Sequence, residues 1–253
     1  MRKEFEDSGA VAVPALLPDK VIDQYVNDWW HRRFSFDNAH HGSGTTQLYA
    51  TNPEIRSVLL NDRIVEVLEE LDICVALHSE LTQWRSANTG WHVDIFHGNV
   101  DAPGTYVGIW VALDDIDPES GVFQYLPGSH RWPLSSDDHS RVNDLCHEAM
   151  TANPHEVVSF IPKKGDILVW NGRVIHRGSA PKADIPRPAL IGHYANQWSW
   201  PGAPVPSFRE VRDTMRVDPT TVRHGKGWYK VNLSNIDYED VVNIYSESGM
   251  LVE

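Results

Sequence analysis

The chain has 253 residues, with 22 Lys plus Arg against 35 Asp plus Glu and a formal charge of −13. Its 41% hydrophobic and 23% charged residues are the composition of a folded globular protein and exclude disorder along the whole length. The acidic balance, with no clustered run of Lys or Arg, argues against a nucleic-acid partner and against an anionic membrane surface. No apolar stretch reaches the 18 residues of a membrane span. Cys74 and Cys146 stand far apart without a CxxC, which is neither a disulfide framework nor a thiolate metal site. The opening Met1–Asp7 turns acidic at once and has no apolar signal region, so the expected location is cytoplasmic. Ten Trp and 13 His are unusual, and both residue types gather where ligands and metals sit.

Ala10–Leu17 reads as a short strand followed by a turn. Pro18-Asp19 then starts a helix whose apolar positions Val21, Ile22, Tyr25, Val26 and Trp29 follow helical spacing. Ser35–Thr46, including His40-His41, reads as a polar loop. A second helix is predicted from about Pro53 to Glu70, with Pro in the first turn, where its missing N–H costs nothing. After Leu71 the pattern changes to short β-like runs parted by Gly, Pro and Asp turns. They are Ile73–Trp84, Trp91–Phe96, Tyr106–Leu113, Gly121–Leu126, Glu156–Ile161, Asp166–Trp170, Val174–His176 and Leu190–Gln197. Most have no helical crossover between them, so they predict a barrel or two-sheet jelly roll rather than βαβ units. Ser129–Pro154 reads as a long polar insertion, and Phe208–Glu253 as one or two short helices packed across the barrel. With no internal repeat or linker, the expectation is one domain over 1–253. It divides into a helical part at about 1–72, a jelly-roll core at about 73–200 and a C-terminal extension at about 201–253.

Three pieces carry chemistry. In Gly90-Trp91-His92-Val93-Asp94 the His and Asp stand two apart, so in a strand both project from one face and can take adjacent corners of a metal. A strand-end His bonded to a neighbouring Asp would look the same. The run Lys164–Gly178 places an apolar strand, a polar turn and a short strand ending in His176. Two His and one carboxylate form the facial triad of non-haem Fe(II), which leaves three metal positions open. Arg187 follows His176 by 11 residues and precedes an apolar strand. A guanidinium there can hold a carboxylate through paired hydrogen bonds, and a surface Arg between Pro186 and Pro188 is the competing view.

Together these pieces resemble the phytanoyl-CoA dioxygenase-like family of Fe(II)/2-oxoglutarate oxygenases. The matching segments are Trp91–Asp94, Trp110–Asp115, Glu119–His130, Gly165–His176 and Arg187, and their order and separations agree over roughly residues 5 to 200. The resemblance implies a mainly β protein with a double-stranded β-helix core, of jelly-roll or cupin type, and N- and C-terminal helices packed on it. It also implies iron on His92, Asp94 and His176, with O₂ as oxidant. Arg187 would grip the distal carboxylate of 2-oxoglutarate, and Gln83, Thr105 and Trp110 would touch the same cosubstrate. Where many relatives carry Ser two residues after the distal His, this chain has Gly178 and then Ser179, which puts a secondary carboxylate contact in doubt. Related halogenases carry a small residue at the Asp94 position, so a carboxylate there favours hydroxylation, or a sibling outcome such as desaturation or ring closure.

Some residues are candidates only for supporting roles. Trp84, Trp91 and Trp110 would wall the pocket against water, and Trp198 and Trp200 could line it. Arg85 and Asn88 could meet a polar substrate, as could His97 near the mouth. His130 reads as a turn-stabilising residue, and Trp29-Trp30 as helix surface. The overall expectation is an oxygenase acting on a small molecule. Two rivals remain open: a metal cupin that does not use 2-oxoglutarate, and a non-enzymatic barrel that holds a ligand.

Overall fold

A computed structural model describes residues 1–27, 40–41, 48–94, 106–132, 139–152, 156–196, 208–218 and 220–231. Two facing sheets and a cover of helices make up the described architecture. The larger sheet runs β1 (Ala10–Val13), β7 (Ile167–Asn171), β4 (Tyr106–Ala112), β9 (Ala189–Ala195), β3 (Ala76–Gln83), β11 (Gly227–Lys230) and β10 (Thr221–His224). The two-residue strand β2 (His40–His41) pairs with β3 off this path. The smaller sheet is β6 (Val158–Phe160), β5 (Phe123–Tyr125) and β8 (His176–Gly178), antiparallel throughout. This is a jelly roll, as the short, closely spaced strands predict.

The sheet faces differ because side chains alternate along each strand. Val107, Ile109, Val111, Ile167, Val169, Leu190 and Tyr194 turn outward and pack with Ile22, Tyr25, Ile55, Leu59 and Ile64 of the helices. Trp110, Leu168, Trp170, Ala189 and Ile191 turn inward and meet Phe123 and Phe160 of the smaller sheet. The helices supplying the outer cover are α2 (Asp19–Tyr25), α4 (Pro53–Leu59) and α5 (Asp62–Glu70). Ahead of them, α1 (Arg2–Ser8) ends at Gly9 and leads into β1, and the single turn α3 (Leu48–Thr51) precedes α4.

Several elements differ from expectation. The predicted 53–70 helix is two helices, because the Asn61 side chain accepts the backbone N–H of Arg63 and caps a new start. His40-His41 pairs with Thr82 and Gln83 instead of lying in a loop. The insertion contains α6 (His139–Ala152), whose Val142, Cys146 and Met150 recur every four residues and cover Trp91, Leu126 and Ile175. After α7 (Phe208–Val217), the C-terminal region adds the hairpin β10–β11 to the large sheet through a parallel pairing of Tyr229 with Leu77. Trp91–Asp94 is not a regular strand; it joins the smaller sheet through one bridge, His92 to His176. Thr105, His97, Trp29-Trp30, Trp198, Trp200 and residues 232–253 lie outside the described residues, as do the side chains of His40 and His41.

Candidate functional site

The backbone brings the three predicted metal ligands together. His92 N–H donates to the His176 carbonyl (3.0 Å), and His176 N–H donates back to the His92 carbonyl (2.9 Å). The Asp94 N–H is tied to the Gly172 carbonyl at 2.8 Å. One ligand atom from each of His92, Asp94 and His176 lies within 4.8 Å of the others, a group that could hold a metal ion. The Asp94 Oδ1 is 3.5 Å from His176 Nε2 and 4.0 Å from His92 Nε2.

The histidine tautomers follow from their other nitrogens. His92 Nδ1 is 2.7 Å from the Gly90 carbonyl and His176 Nδ1 is 2.9 Å from the Val174 carbonyl. A carbonyl only accepts, so both Nδ1 atoms carry the proton and both Nε2 lone pairs face Asp94. Outer hydrogen bonds of this kind orient metal-ligating imidazoles. Burial pushes His176 down to about 4, so it is neutral at ordinary pH, as a metal ligand must be. For Asp94, burial favours the acid, yet its polar surroundings, the Trp170 N–H among them, hold the carboxyl below its ordinary value. Trp170 Nε1 donates to Asp94 Oδ2 at 2.8 Å, leaving Oδ1 toward the two Nε2 atoms. Gly108 permits this contact: a Cβ there would lie 2.0 Å from the Trp170 ring, so a side chain would displace the indole.

The triad opens on a cavity of about 120 Å³ lined by Gln83, Trp110, Phe123, Trp170, Arg187 and His193, among others. Arg187 sits at one end and is 2% exposed. It donates to the Gly121 carbonyl (3.0 Å) and to Gln83 Oε1, and its guanidinium carbon lies 5.8 Å from the Trp110 ring centre. Gly121 has a positive φ of 87°, and a Cβ there would strike the Ser179 carbonyl at 2.6 Å, so glycine is required where Arg187 is anchored. Arg187 Nε has no hydrogen-bond partner, and no carboxylate among the described residues pairs with this buried cation. Burial lowers its pKa to about 10. A buried guanidinium without a counter-charge is costly, and an acid arriving from outside relieves that cost. The donor set and this orphaned nitrogen fit a divalent iron and a dicarboxylate in one cavity.

Of the predicted cofactor contacts, Gln83 and Trp110 both line the cavity, and Gln83 orients Arg187. Trp84 and Trp91 do not line it. Trp84 packs against the outer core, and Trp91 joins the cluster under α6 with Arg177 stacked on it at 4.3 Å. Phe123 and Trp170 supply the aromatic wall instead, Phe123 stacking on His176 at 5.1 Å. Arg85 pairs with Asp184 at the surface, and Asn88 is exposed in a left-handed conformation. His130 is the turn residue it was expected to be: its Nε2 meets the Glu6 carbonyl, while Ser129 Oγ receives the Ile175 N–H.

Sequence reasoning missed two groups. Thr89 lines the cavity, and its hydroxyl accepts the Gly178 N–H at 2.8 Å, so its own proton is free to donate. A Cβ on Gly178 would lie 3.6 Å from both Thr89 Oγ1 and Arg187 Nη1, so Thr89 stands beside the position where relatives place Ser. His193 lines the opposite end on β9, beside Ser79 of β3. Its signal was available as the inward alternation of Ala189, Ile191 and His193.

A jelly roll with two imidazoles and one carboxylate opening on a shared cavity is the architecture of non-haem iron oxygenases. The family model for phytanoyl-CoA dioxygenase (PhyH) matches residues 5–189, and the chain belongs to this family. Bovine peroxisomal phytanoyl-CoA dioxygenase is 26% identical over 110 residues, covering 42% of this chain and 33% of its own. The dioxygenase lolE1 of Epichloe uncinata is 26% identical over 172 residues, covering 66% and 64%. The chain thus spans from a third to under two thirds of these relatives. In fold it is similar to the epimerase SnoN in complex with Fe³⁺, α-ketoglutarate and nogalamycin RO, with a TM-score of 0.62 at 19% identity. That match covers 92% of this chain and 95% of SnoN. Among the described residues, no helix is long and apolar enough to cross a membrane.

Proposed function

We propose that the chain, acting as one domain, is an Fe(II)- and 2-oxoglutarate-dependent dioxygenase that hydroxylates a C–H bond of a small molecule. His92, Asp94 and His176 are the metal ligands, and Arg187 holds the distal carboxylate of 2-oxoglutarate. The observation that carries this reading is the buried Arg187, lacking any acid partner among the described residues, in the same cavity as the three ligand atoms. A metal cupin without 2-oxoglutarate has no use for that guanidinium.

When bound, iron supplies the O₂ chemistry that couples conversion of 2-oxoglutarate to succinate and CO₂ with insertion of one oxygen atom into the substrate. The chain's own residues do the rest. The Nδ1 bonds to Gly90 and Val174 fix both imidazole planes, and Trp170 holds the Asp94 carboxylate in one rotamer. Gln83 and Trp110 hold Arg187 against the cavity end, so a diacid enters with one orientation. Phe123 and Trp170 exclude water on the side of His176. Asp94 would supply a carboxylate ligand where a halide would otherwise bind, which supports hydroxylation over halogen transfer.

The test follows succinate release across a panel of small molecules, with the mass of each product recorded. Wild type is expected to consume 2-oxoglutarate and add one oxygen atom to a substrate, while Asp94→Ala folds normally and releases no succinate. Equal succinate release by Asp94→Ala would refute the assignment.

A further inference from the structure

The segment between β3 and His92 runs along the end of the cavity that holds Arg187, and both Ala87 and Thr89 line that cavity. The Arg187 backbone N–H donates to the Trp84 carbonyl at 2.8 Å, and Ser86 Oγ donates to the Ser179 carbonyl at 2.8 Å. Asn88 then turns the chain with a positive φ of 49°, a conformation that asparagine tolerates better than most residues. Thr89 follows, and its hydroxyl oxygen accepts the Gly178 N–H at 2.8 Å. These three contacts pin residues 84–89 to Arg187 and to the end of β8.

A missing side chain makes room beside Thr89. A Cβ on Gly178 would lie 3.6 Å from Thr89 Oγ1 and 3.6 Å from Arg187 Nη1. One point in the cavity wall is thus at contact distance from both a hydroxyl and a buried guanidinium. Gly178 is not among the glycines with positive φ, so its backbone does not demand glycine. What glycine does at 178 is leave the space between Thr89 and Arg187 open.

The donors on the two sides of that space match a carboxylate. Thr89 meets the Gly178 N–H with an oxygen lone pair, and that bond does not use the hydroxyl proton. A guanidinium has five N–H groups. Arg187 places one on the Gly121 carbonyl and one on Gln83 Oε1, and its Nε is without a partner among the described residues. An ionised carboxylate only accepts, and it has two oxygens to offer. Hydrogen bonds of about 2.8 Å, one to each oxygen, bridge a hydroxyl and a guanidinium that share a contact point. A carboxylate held from both sides is fixed in its plane, which sets the direction in which the rest of a diacid runs.

We propose that the Thr89 hydroxyl is a second binding group for the distal carboxylate of 2-oxoglutarate, donating to the oxygen on the side away from Arg187. The assignment rests on the oxygenase reading and adds a residue to the cosubstrate site which that reading defines. Thr89 adjoins Gly90, whose carbonyl orients the His92 ring, so the same contact links the far end of the cosubstrate to a ligand-bearing segment.

The test is an anaerobic titration of the Fe(II)-loaded protein that reads the visible band of the keto-acid chelate and needs no turnover. Two probes are compared: 2-oxoglutarate, and 2-oxobutyrate, which has the same keto-acid end and no distal carboxylate. Thr89→Val keeps the branched shape and removes the hydroxyl. It should weaken 2-oxoglutarate binding about tenfold, the worth of one hydrogen bond to a charged group, and leave 2-oxobutyrate binding unchanged. Thr89→Ser, which keeps the hydroxyl, should bind both probes as wild type does. Gly178→Ser in the Thr89→Val background returns a hydroxyl to the shared point, with Ser86 Oγ 3.3 Å from the new Cβ. It should recover most of the lost affinity although the bond to the Gly178 N–H stays broken, a recovery that a purely structural role for Thr89 does not allow. Equal 2-oxoglutarate affinity in wild type and Thr89→Val would overturn the proposal. So would equal weakening of both probes, or a double variant that binds no tighter than Thr89→Val. Any of these results with a band in wild type removes the role of Thr89 alone, whereas absence of the band in wild type removes the oxygenase assignment.

Discussion

The two faces of the large sheet are built from the same strands to opposite ends. On β9, Leu190 and Tyr194 face outward into an apolar layer, while Ile191 and His193 face inward toward the cavity. On β4, Val107, Ile109 and Val111 pack against the helices, while Trp110 and Gly108 turn to Arg187 and Trp170. The outer face holds the fold together by burial of apolar area. The inner face accepts costs that do not stabilise it, including the buried guanidinium of Arg187, which has no acid partner among the described residues. A one-residue slip of register would exchange the two faces, so the apolar layer also specifies which residues line the cavity.

Substitutions on the two faces should therefore separate activity from stability. Arg187→Met should raise the 2-oxoglutarate concentration for half-maximal turnover by on the order of a thousandfold, about 4 kcal/mol, since one partner of a buried charge pair is removed. Its melting temperature should hold or rise, because an uncompensated buried cation is gone. Succinate release and thermal denaturation measured together check both halves. On the other face, Ile109→Ala removes a fully buried side chain and should cost about 3 kcal/mol in denaturant unfolding. Its folded fraction should keep the 2-oxoglutarate affinity of wild type. The smallest effect is expected at the join between the faces. Trp170→Phe deletes the N–H that holds Asp94 and should weaken Fe(II) binding by about tenfold, read by competition with a chelator.

The grouping of His92, Asp94 and His176 was legible from the order and separation of the segments that carry them, although Trp91–Asp94 does not form the regular strand that the two-residue spacing supposed. Arg187 stood out only through the resemblance, since a surface Arg between two prolines was the plainer reading of its segment; it is in fact buried. The strands of the core were legible as apolar runs between turns, to within a few residues at their ends. The split of the 53–70 helix was harder to read, since Asn61 is a cap only once the apolar rows on either side face different neighbours. Helix α6 left a readable mark in Val142, Cys146 and Met150, masked by the polar residues between them. The hairpin Thr221–Lys230 was signalled by Gly225 and Gly227, although its pairing with β3 depends on contacts far away in sequence. The placing of Ser79 beside His193 was not legible at all. It depends on the register of β3 against β9 and on a bulge that no local pattern announces. The same holds for Thr89, which gains a role only because Gly178 folds back beside it.

The account stands on one ferrous ion and one 2-oxoglutarate meeting in the cavity of His92, Asp94, His176 and Arg187. Anaerobic absorbance titration reads that meeting directly. Fe(II) followed by 2-oxoglutarate should produce a weak visible band that saturates at one equivalent in wild type and is absent in His176→Ala. A featureless spectrum from wild type, or the same band from His176→Ala, would contradict it.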